Sequence, residues 1–229
     1  MHLPCIYGIS CKFGPSIDLY ATSTPMVMRR DPVGCIVLAA GSSSRMGHEK
    51  AIFEVEGTTL LNYVIEKLTK VGIEPVVVTR ADLEVCVKKL VKGREVIVNH
   101  SPEEGRTGSI QLGIARINEI FGENCRILIA PIDRPGFSIG TLERLVVSEE
   151  TTCPSLNGRG GHPILISTED AGRILRAEPG VALRDLVTPE KIEVNDRFLH
   201  LNVDTEEEMS KFAEMVSAVS SGRSGLDQL

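Results

Sequence analysis

Short runs rich in Val and Ile recur at residues 35–38, 75–79, 95–98 and 126–130. Their apolar character is continuous rather than alternating, which predicts strands covered on both faces, as in a parallel sheet. Between and after them the apolar residues return at helical spacing. Leu60, Leu61, Val64, Ile65, Leu68 and Val71 form one stripe, Ile110, Ile114, Ile117 and Phe121 a second, and Met209, Phe212, Val216 and Val219 a third. Strands alternating with helices imply right-handed crossovers. The pattern therefore predicts an α/β chain: a doubly wound, mostly parallel sheet with helices on both faces. In such sheets ligands settle beyond the carboxyl ends of the strands.

The two ends break this pattern. Residues 1–31 carry neither period, and they lack the charged start and continuous apolar stretch of a secretory signal. They are expected to be a poorly ordered extension, with Met26 or Met28 an equally good start. Residues 32–217 are expected to form the domain and residues 218–229 a frayed tail. A hydrophobic content of 42% suffices for one core. The net charge of −6 argues against broad attraction to nucleic acid. No apolar run approaches the roughly 20 residues of a membrane span. Six cysteines without C-x-x-C spacing argue against a zinc site and a disulfide scaffold, and predict a reducing, cytoplasmic setting.

Candidate chemistry concentrates where the first run ends. Residues 36–50 read IVLAAGSSSRMGHEK, an apolar strand breaking into a loop of small residues that holds two cations. The small residues after Leu38, namely Ala39, Ala40 and Gly41, leave main-chain N–H groups open to close approach by a charged ligand. Arg45 and Lys50 bring two positive charges there, as a triphosphate requires. The letters fit neither G-x-x-x-x-G-K-[ST] nor G-x-G-x-x-G, so a P-loop and a dinucleotide fold are not supported. The plainer alternative is a strand-to-helix turn with ordinary surface charges. Asp133 follows the apolar run 126–130 in the stretch APIDRP, so its carboxylate is expected on the same ligand side. Magnesium favours hard oxygen ligands and joins one or two carboxylates to substrate phosphates. An aspartate before a proline also serves simply as a turn former.

Residues 38–50 resemble the signature L-A-A-G-x-S-x-R-M-G-x-x-K of the MobA-like nucleotidyltransferases, and within them the molybdenum cofactor cytidylyltransferases; every fixed letter is matched. The likeness continues more thinly over residues 33–216 and implies the Rossmann-like nucleotidyltransferase fold. It implies a metal-binding role for Asp133, although Ile132 and Arg134 replace the usual neighbours of G-D-Q-P or G-D-M-P. The stretch LNVDTEEEM is similar to the family's D-I-D-T-P-E-D segment, which implies Asp204 as a second metal carboxylate, with Thr205 as helix cap. The competing reading makes Asp204 or Thr205 an N-cap and nothing more. In EEGRTGSIQLGI the likeness implies that Gly105 and Ser109 face the nucleobase, while Ser109 alternatively caps the helix carrying Ile110. GRGGHPILIS resembles the acceptor-side G-H-P-V-L segment and implies acceptor contacts by Arg159, His162 and Pro163, on a turn with Gly160 and Gly161. His48, His100 and His200 receive no role.

Together these implied parts compose a nucleotidyl transfer, in which an acceptor phosphate attacks the α-phosphorus of a nucleoside triphosphate and pyrophosphate leaves. Such chemistry needs placement and charge neutralisation more than covalent catalysis. Arg45 and Lys50 are expected on the triphosphate, and Asp133 and Asp204 on Mg²⁺, with Mn²⁺ admissible. Relatives with LAAG tend to use CTP and those with LAGG tend to be guanylyl-transferring, so Ala40 favours CTP. The implied acceptor is molybdopterin or its molybdenum-bearing form, and the implied partner a molybdenum hydroxylase or its chaperone. Two other readings stay open. One is a cytidylyl- or guanylyltransferase acting on another phosphorylated acceptor, such as a sugar or polyol phosphate. The other is a non-catalytic nucleotide- or cofactor-binding partner of a molybdoenzyme.

Overall fold

The computed structural model of the chain describes residues 32–41, 51, 53–55 and 57–220. The loop holding Arg45 and Lys50 and the expected extension over residues 1–31 lie outside the described residues, apart from the segment's edges. The first strand, β1 (Val33–Ala39), is followed by a small hairpin of β2 (Glu54–Val55) and β3 (Thr58–Thr59), then by α1 (Leu60–Lys70). Next come β4 (Val76–Arg80), α2 (Glu84–Val91), β5 (Val96–Asn99), α3 (Arg106–Phe121) and β6 (Arg126–Pro131). The second half adds α4 (Ile139–Val146), β7 (Thr152–Leu156), β8 (Arg159–Gly160), β9 (Ile164–Ile166), α5 (Thr168–Arg176), α6 (Leu183–Leu186), β10 (Glu190–Glu193) and α7 (Glu206–Ser220).

Eight of these strands form one sheet in the order β10-β7-β9-β6-β1-β4-β5, with β8 paired to β7. β1 runs parallel to both β4 and β6, β4 to β5, and β7 to β10. β9 runs antiparallel to both β6 and β7. The expected α/β class with helices on both faces holds, and the sheet is mixed rather than uniformly parallel. β1 explains why its run is continuously apolar. Cys35, Val37 and Ala39 join the core shared with Leu61, Val64 and Leu68 of α1, whereas Ile36 and Leu38 join the opposite core with Ile110, Ile114 and Ile117 of α3.

Close packing of α3 on β1 depends on two glycines. A Cβ at Gly113 would stand 2.7 Å from Ile36 Cδ1, and one at Gly34 would stand 2.4 Å from Ile117 Cγ2. That second contact also corrects the second expected stripe. Ile117 already packs over the start of β1, so Phe121, one turn further, has no strand beneath it and is 52% exposed. The third stripe holds through Met209, Phe212 and Val216, and α7 runs on to Ser220, three residues past the expected domain end.

Candidate nucleotide site

Each parallel strand of the central sheet ends in a loop on the same side, and these loops enclose a cavity of about 520 Å³. β1 contributes Leu38, Ala39, Ala40 and Gly41 to its wall; β4 contributes Arg80 and the turn after it Leu83. The stretch after β5 contributes Pro102, Glu103, Gly105, Arg106 and Ser109, and β6 contributes Pro131, Ile132 and Asp133. Thus Leu38–Gly41, Gly105, Ser109 and Asp133, read separately from the sequence, surround one space. Arg45 and Lys50 lie outside the described residues.

Local geometry explains several of these positions. Gly105 has φ +127°, and a Cβ there would come within 2.9 Å of the Pro179 carbonyl oxygen, so the position demands glycine. The helix begins at Arg106, which corrects the expectation that Ser109 opens or caps it. Ser109 sits in the first turn, buried, and its hydroxyl accepts from Asn99 Nδ2 at 2.9 Å. Asn99 Oδ1 in turn accepts from the Ser101 backbone N–H at 2.8 Å, tying the end of β5 to α3. Two cavity cations escaped the sequence reading. Arg80 closes β4, bonding Asp82 at 2.8 Å and donating through Nη1 to the Gly41 carbonyl at 3.2 Å. Arg106 is exposed at the start of α3. The available signal was a cation directly following a buried strand or a ligand-side glycine, the same signal that singled out Arg45.

Asp133 lies two residues beyond β6, half-buried, and its backbone carbonyl accepts from Val203 N–H at 2.8 Å. That bond draws the segment before α7 alongside, and Asp204 with it. The Thr205 hydroxyl accepts from Glu208 N–H at 3.3 Å and so caps α7, while Glu208 Oε2 accepts from Asp204 N–H at 2.9 Å. The cap is therefore Thr205, and the Asp204 carboxylate instead accepts from Asn202 Nδ2. Among the described residues no group of three or more His, Cys, Asp or Glu is arranged around a metal position. A pair of carboxylates is the donor set that suits Mg²⁺ or Mn²⁺ when phosphate oxygens complete the shell.

The loop carrying Asp133 is fixed from both sides. Lys67 Nζ donates to the carbonyls of Pro135 and Phe137 at 3.0 and 2.6 Å, and lies 4.5 Å from the Tyr63 ring centroid. Asp196 Oδ2 accepts from Ser138 N–H at 2.8 Å and from the Thr141 hydroxyl at 2.7 Å.

Arg134, the next residue, lines a second cavity of about 340 Å³ together with Cys153, Arg159, Gly160, Gly161, His162, Ile164, Pro189, Lys191, Leu199 and His200. Arg159 and His162 line it, whereas Pro163 is buried and follows a cis His162–Pro163 peptide. The turn is also placed differently. Asn157 and Gly158, both at positive φ, join β7 to β8, and Gly160 belongs to the strand that follows. Gly161 packs against Leu199, where a Cβ would lie 2.7 Å from Leu199 Cγ. Burial pushes the His162 imidazole down to about 4; the Asp133 charge opposes the shift, and Arg134 and Arg106 add to it. The ring is therefore neutral at pH 7, and its Nδ1 is buried without a hydrogen-bond partner. His200, given no role from the sequence, also lines this cavity.

Asp204 lines neither cavity, so among the described residues Asp133 is the aspartate at this end of the sheet. An open α/β sheet whose carboxyl end gathers a small-residue loop, an aspartate and an adjoining cationic cavity has the form of a nucleotide-handling protein of the doubly wound class. More narrowly, the chain belongs to the MobA-like NTP transferase domain family, whose model matches residues 35–194. It is 32% identical over 150 residues to nicotine blue oxidoreductase of Paenarthrobacter nicotinovorans, covering 60% of this chain and 70% of that protein. It is 30% identical over 130 residues to a probable molybdenum cofactor guanylyltransferase of Bacillus anthracis, covering 54% of this chain and 62% of the relative. In fold it resembles Rv0371c of Mycobacterium tuberculosis, with a TM-score of 0.68 at 20% identity over 81% of this chain and 99% of that one. A manganese complex of Rv0371c superposes with a TM-score of 0.65 at 20% identity over 80% and 98%. A 4-diphosphocytidyl-2C-methyl-D-erythritol synthase superposes with a TM-score of 0.60 at 16% identity over 82% and 99%.

Proposed function

We propose that the protein transfers a cytidylyl group from CTP to the phosphate of a molybdopterin-type acceptor and releases pyrophosphate. The observation that carries this reading is the adjacency of Asp133 and Arg134. The first opens into the cavity behind the small-residue loop and the second into the cationic cavity beside it. A donor in one cavity and an acceptor in the other would meet at this pair. The acceptor phosphate oxygen forms a bond to the α-phosphorus, and the bond from that phosphorus to the pyrophosphate oxygen breaks.

Main-chain N–H groups around Leu38, Ala39, Ala40 and Gly41 would receive the phosphates, with Arg45 and Lys50 balancing their charge. Asp133 and Asp204 would hold Mg²⁺ or Mn²⁺, which supplies charge neutralisation when bound. Gly105 and Ser109 would face the base, and Arg159 and His162 the acceptor, with Pro163 shaping the backbone behind them. His162, neutral at pH 7, would meet the acceptor without a charge. Ala40 supports cytosine; the Bacillus anthracis relative's name instead speaks of a guanylyltransferase. Among the described residues no helix is long and apolar enough to cross a membrane. A cytoplasmic setting, with delivery to a molybdenum hydroxylase or its chaperone, remains part of this proposal.

Pyrophosphate release by the purified protein with Mg²⁺ and molybdenum cofactor, comparing CTP with GTP at equal concentration, tests the reading. Release with CTP supports it. Preference for GTP moves the protein to the guanylyl branch, and silence with both overturns the acceptor assignment.

A further inference from the structure

A hydroxyl facing a nucleobase can donate or accept, and the choice decides which ring atoms it suits. Ser109 lines the first cavity, and the groups behind it fix that choice. The Ser101 backbone N–H can only donate, and it meets the Asn99 amide oxygen at 2.8 Å. With its oxygen held there, Asn99 turns its NH₂ group toward Ser109 Oγ, 2.9 Å away. An amide NH₂ can only donate, so Ser109 accepts, and its own single hydrogen is not spent on Asn99. Among the described residues this hydroxyl forms no other hydrogen bond. Asn99 and Ser109 are 5% and 4% exposed, and of the two only Ser109 reaches the cavity wall. The hydrogen is left for whatever fills the cavity.

We infer that Asn99 sets the polarity of base recognition: by donating to Ser109, it keeps the Ser109 hydroxyl a hydrogen-bond donor toward an acceptor atom of the base. The inference rests on the proposed placement of the base against Gly105 and Ser109, and deepens it. On cytosine the atoms that suit such a donor are O2 and N3, whereas the amino group at position 4 does not. Asn99 touches no nucleotide in this assignment. It is a positioning residue, acting through Ser109 and held by the backbone that follows β5.

Aspartate at position 99 reverses the arrangement without loss of shape. Its carboxylate still accepts from Ser101 N–H, but it also takes the Ser109 hydrogen, and Ser109 then presents only lone pairs to the base. Both hydrogen bonds favour the ionised carboxylate. Asn99→Ala differs, because it drops both bonds and leaves the Ser109 hydrogen free.

The test measures Mg²⁺-dependent binding of CTP and of tripolyphosphate, which has the phosphates and no base. Asn99→Asp is expected to weaken CTP binding at least about tenfold, since an acceptor of the base then meets a lone pair. Tripolyphosphate binding is expected to stay within about twofold, because the phosphates do not meet Ser109. In the Ser109→Ala background, Asn99→Asp is expected to have no further effect on CTP. A merely structural role makes Asn99→Ala, which loses the tie to Ser101, the more harmful change to CTP binding; the inference requires Asn99→Asp to be worse. Unchanged CTP affinity in Asn99→Asp, equal losses for CTP and tripolyphosphate, or additive losses in the double variant each overturn the inference. Should the melting temperature show that Asn99→Asp does not fold, the cycle of Asn99→Ala with Ser109→Ala decides, additive losses again overturning it. Wild-type binding of GTP in place of CTP overturns the cytosine reading alone, since guanine O6 and N7 are also acceptors, and the same cycle run with GTP then decides the role of Asn99. Binding of neither nucleotide overturns both.

Discussion

Asp133→Asn keeps the shape of the side chain and removes one negative charge from the point where the two cavities meet. If the carboxylate neutralises a metal during transfer, turnover falls on the order of 10²–10³-fold, comparable to losing one preorganised electrostatic group. The melting temperature is expected to stay within about 2 °C, because the bond that fixes this loop to Val203 uses the backbone of Asp133. Initial rates together with thermal unfolding check both parts. His162 makes a prediction of another kind. Its folded value of about 4 lies below the ordinary 6.5, so the unfolded chain binds more protons between those two values. The stability that follows is fully present above about pH 6.5 and is lost as the pH falls toward 4. Its ceiling is roughly 3 kcal/mol. Urea titrations of wild type and His162→Asn are expected to differ less at pH 4.5 than at pH 7; a gap independent of pH would mean that the imidazole titrates normally in the fold. Residues of the first site were legible where chemistry and sequence coincide, as at Gly41, Gly105 and Asp133, each directly after a buried strand or before a helix. Arg80 and Arg106 were not, because cations at strand ends and in loops are common and only the topology gathers these two.

Elements decide how firmly the loop carrying Asp133 is held. Gly136 lies three residues beyond Asp133, and a Cβ there would stand 1.7 Å from the Phe198 carbonyl oxygen, a backbone atom that cannot swing aside. Gly136→Ala is therefore expected to cost roughly 3 kcal/mol and to displace Asp133 enough to lower turnover as well. Gly140, in the first turn of α4, meets nothing nearer than Ser138 Oγ at 3.9 Å. Gly140→Ala is expected to be neutral or to gain up to about 1 kcal/mol through helix propensity and a less flexible unfolded chain. Equal effects from the two substitutions in denaturant unfolding would refute this account of the loop. The same scale shows why the carboxyl-terminal half was hard to read. β7 is buried along Thr152, Cys153, Pro154 and Ser155, yet its composition is that of a loop. Its polar groups are satisfied internally: the Thr152 hydroxyl donates to the Glu150 carbonyl at 2.8 Å, and the Ser155 hydroxyl donates to Glu193 at 2.6 Å. β8 and β9 are too short to show a period. By contrast β1, β4 and β6 pair on both edges and bury both faces, which is why continuous Val and Ile runs marked them.

Across the whole molecule the sheet separates stability from chemistry. Strands β1, β4, β5 and β6 point their carboxyl ends at the first cavity, so their amino ends face away from it. Arg126 opens β6 at that far end. Its guanidinium is buried and donates to the Val146 carbonyl at 3.2 Å and to that of Ser148, closing the end of α4 against the sheet. Arg126→Met leaves those part-buried carbonyls without this charged donor, at a cost of roughly 2–3 kcal/mol. Arg126 lines neither cavity. In urea unfolding Arg126→Met is therefore expected to lower the midpoint well below that of Asp133→Asn. In CTP binding with Mg²⁺ and in turnover, measured below the melting transition, the order is expected to reverse. Additivity of the two changes is expected in the double variant, because the two side chains lie at opposite ends of one strand, farther apart than directly coupled neighbours. A loss of turnover in Arg126→Met while it remains folded would show that the two ends of β6 are mechanically coupled, and that the loop at Asp133 depends on the packing of α4 as well as on Lys67 and Asp196.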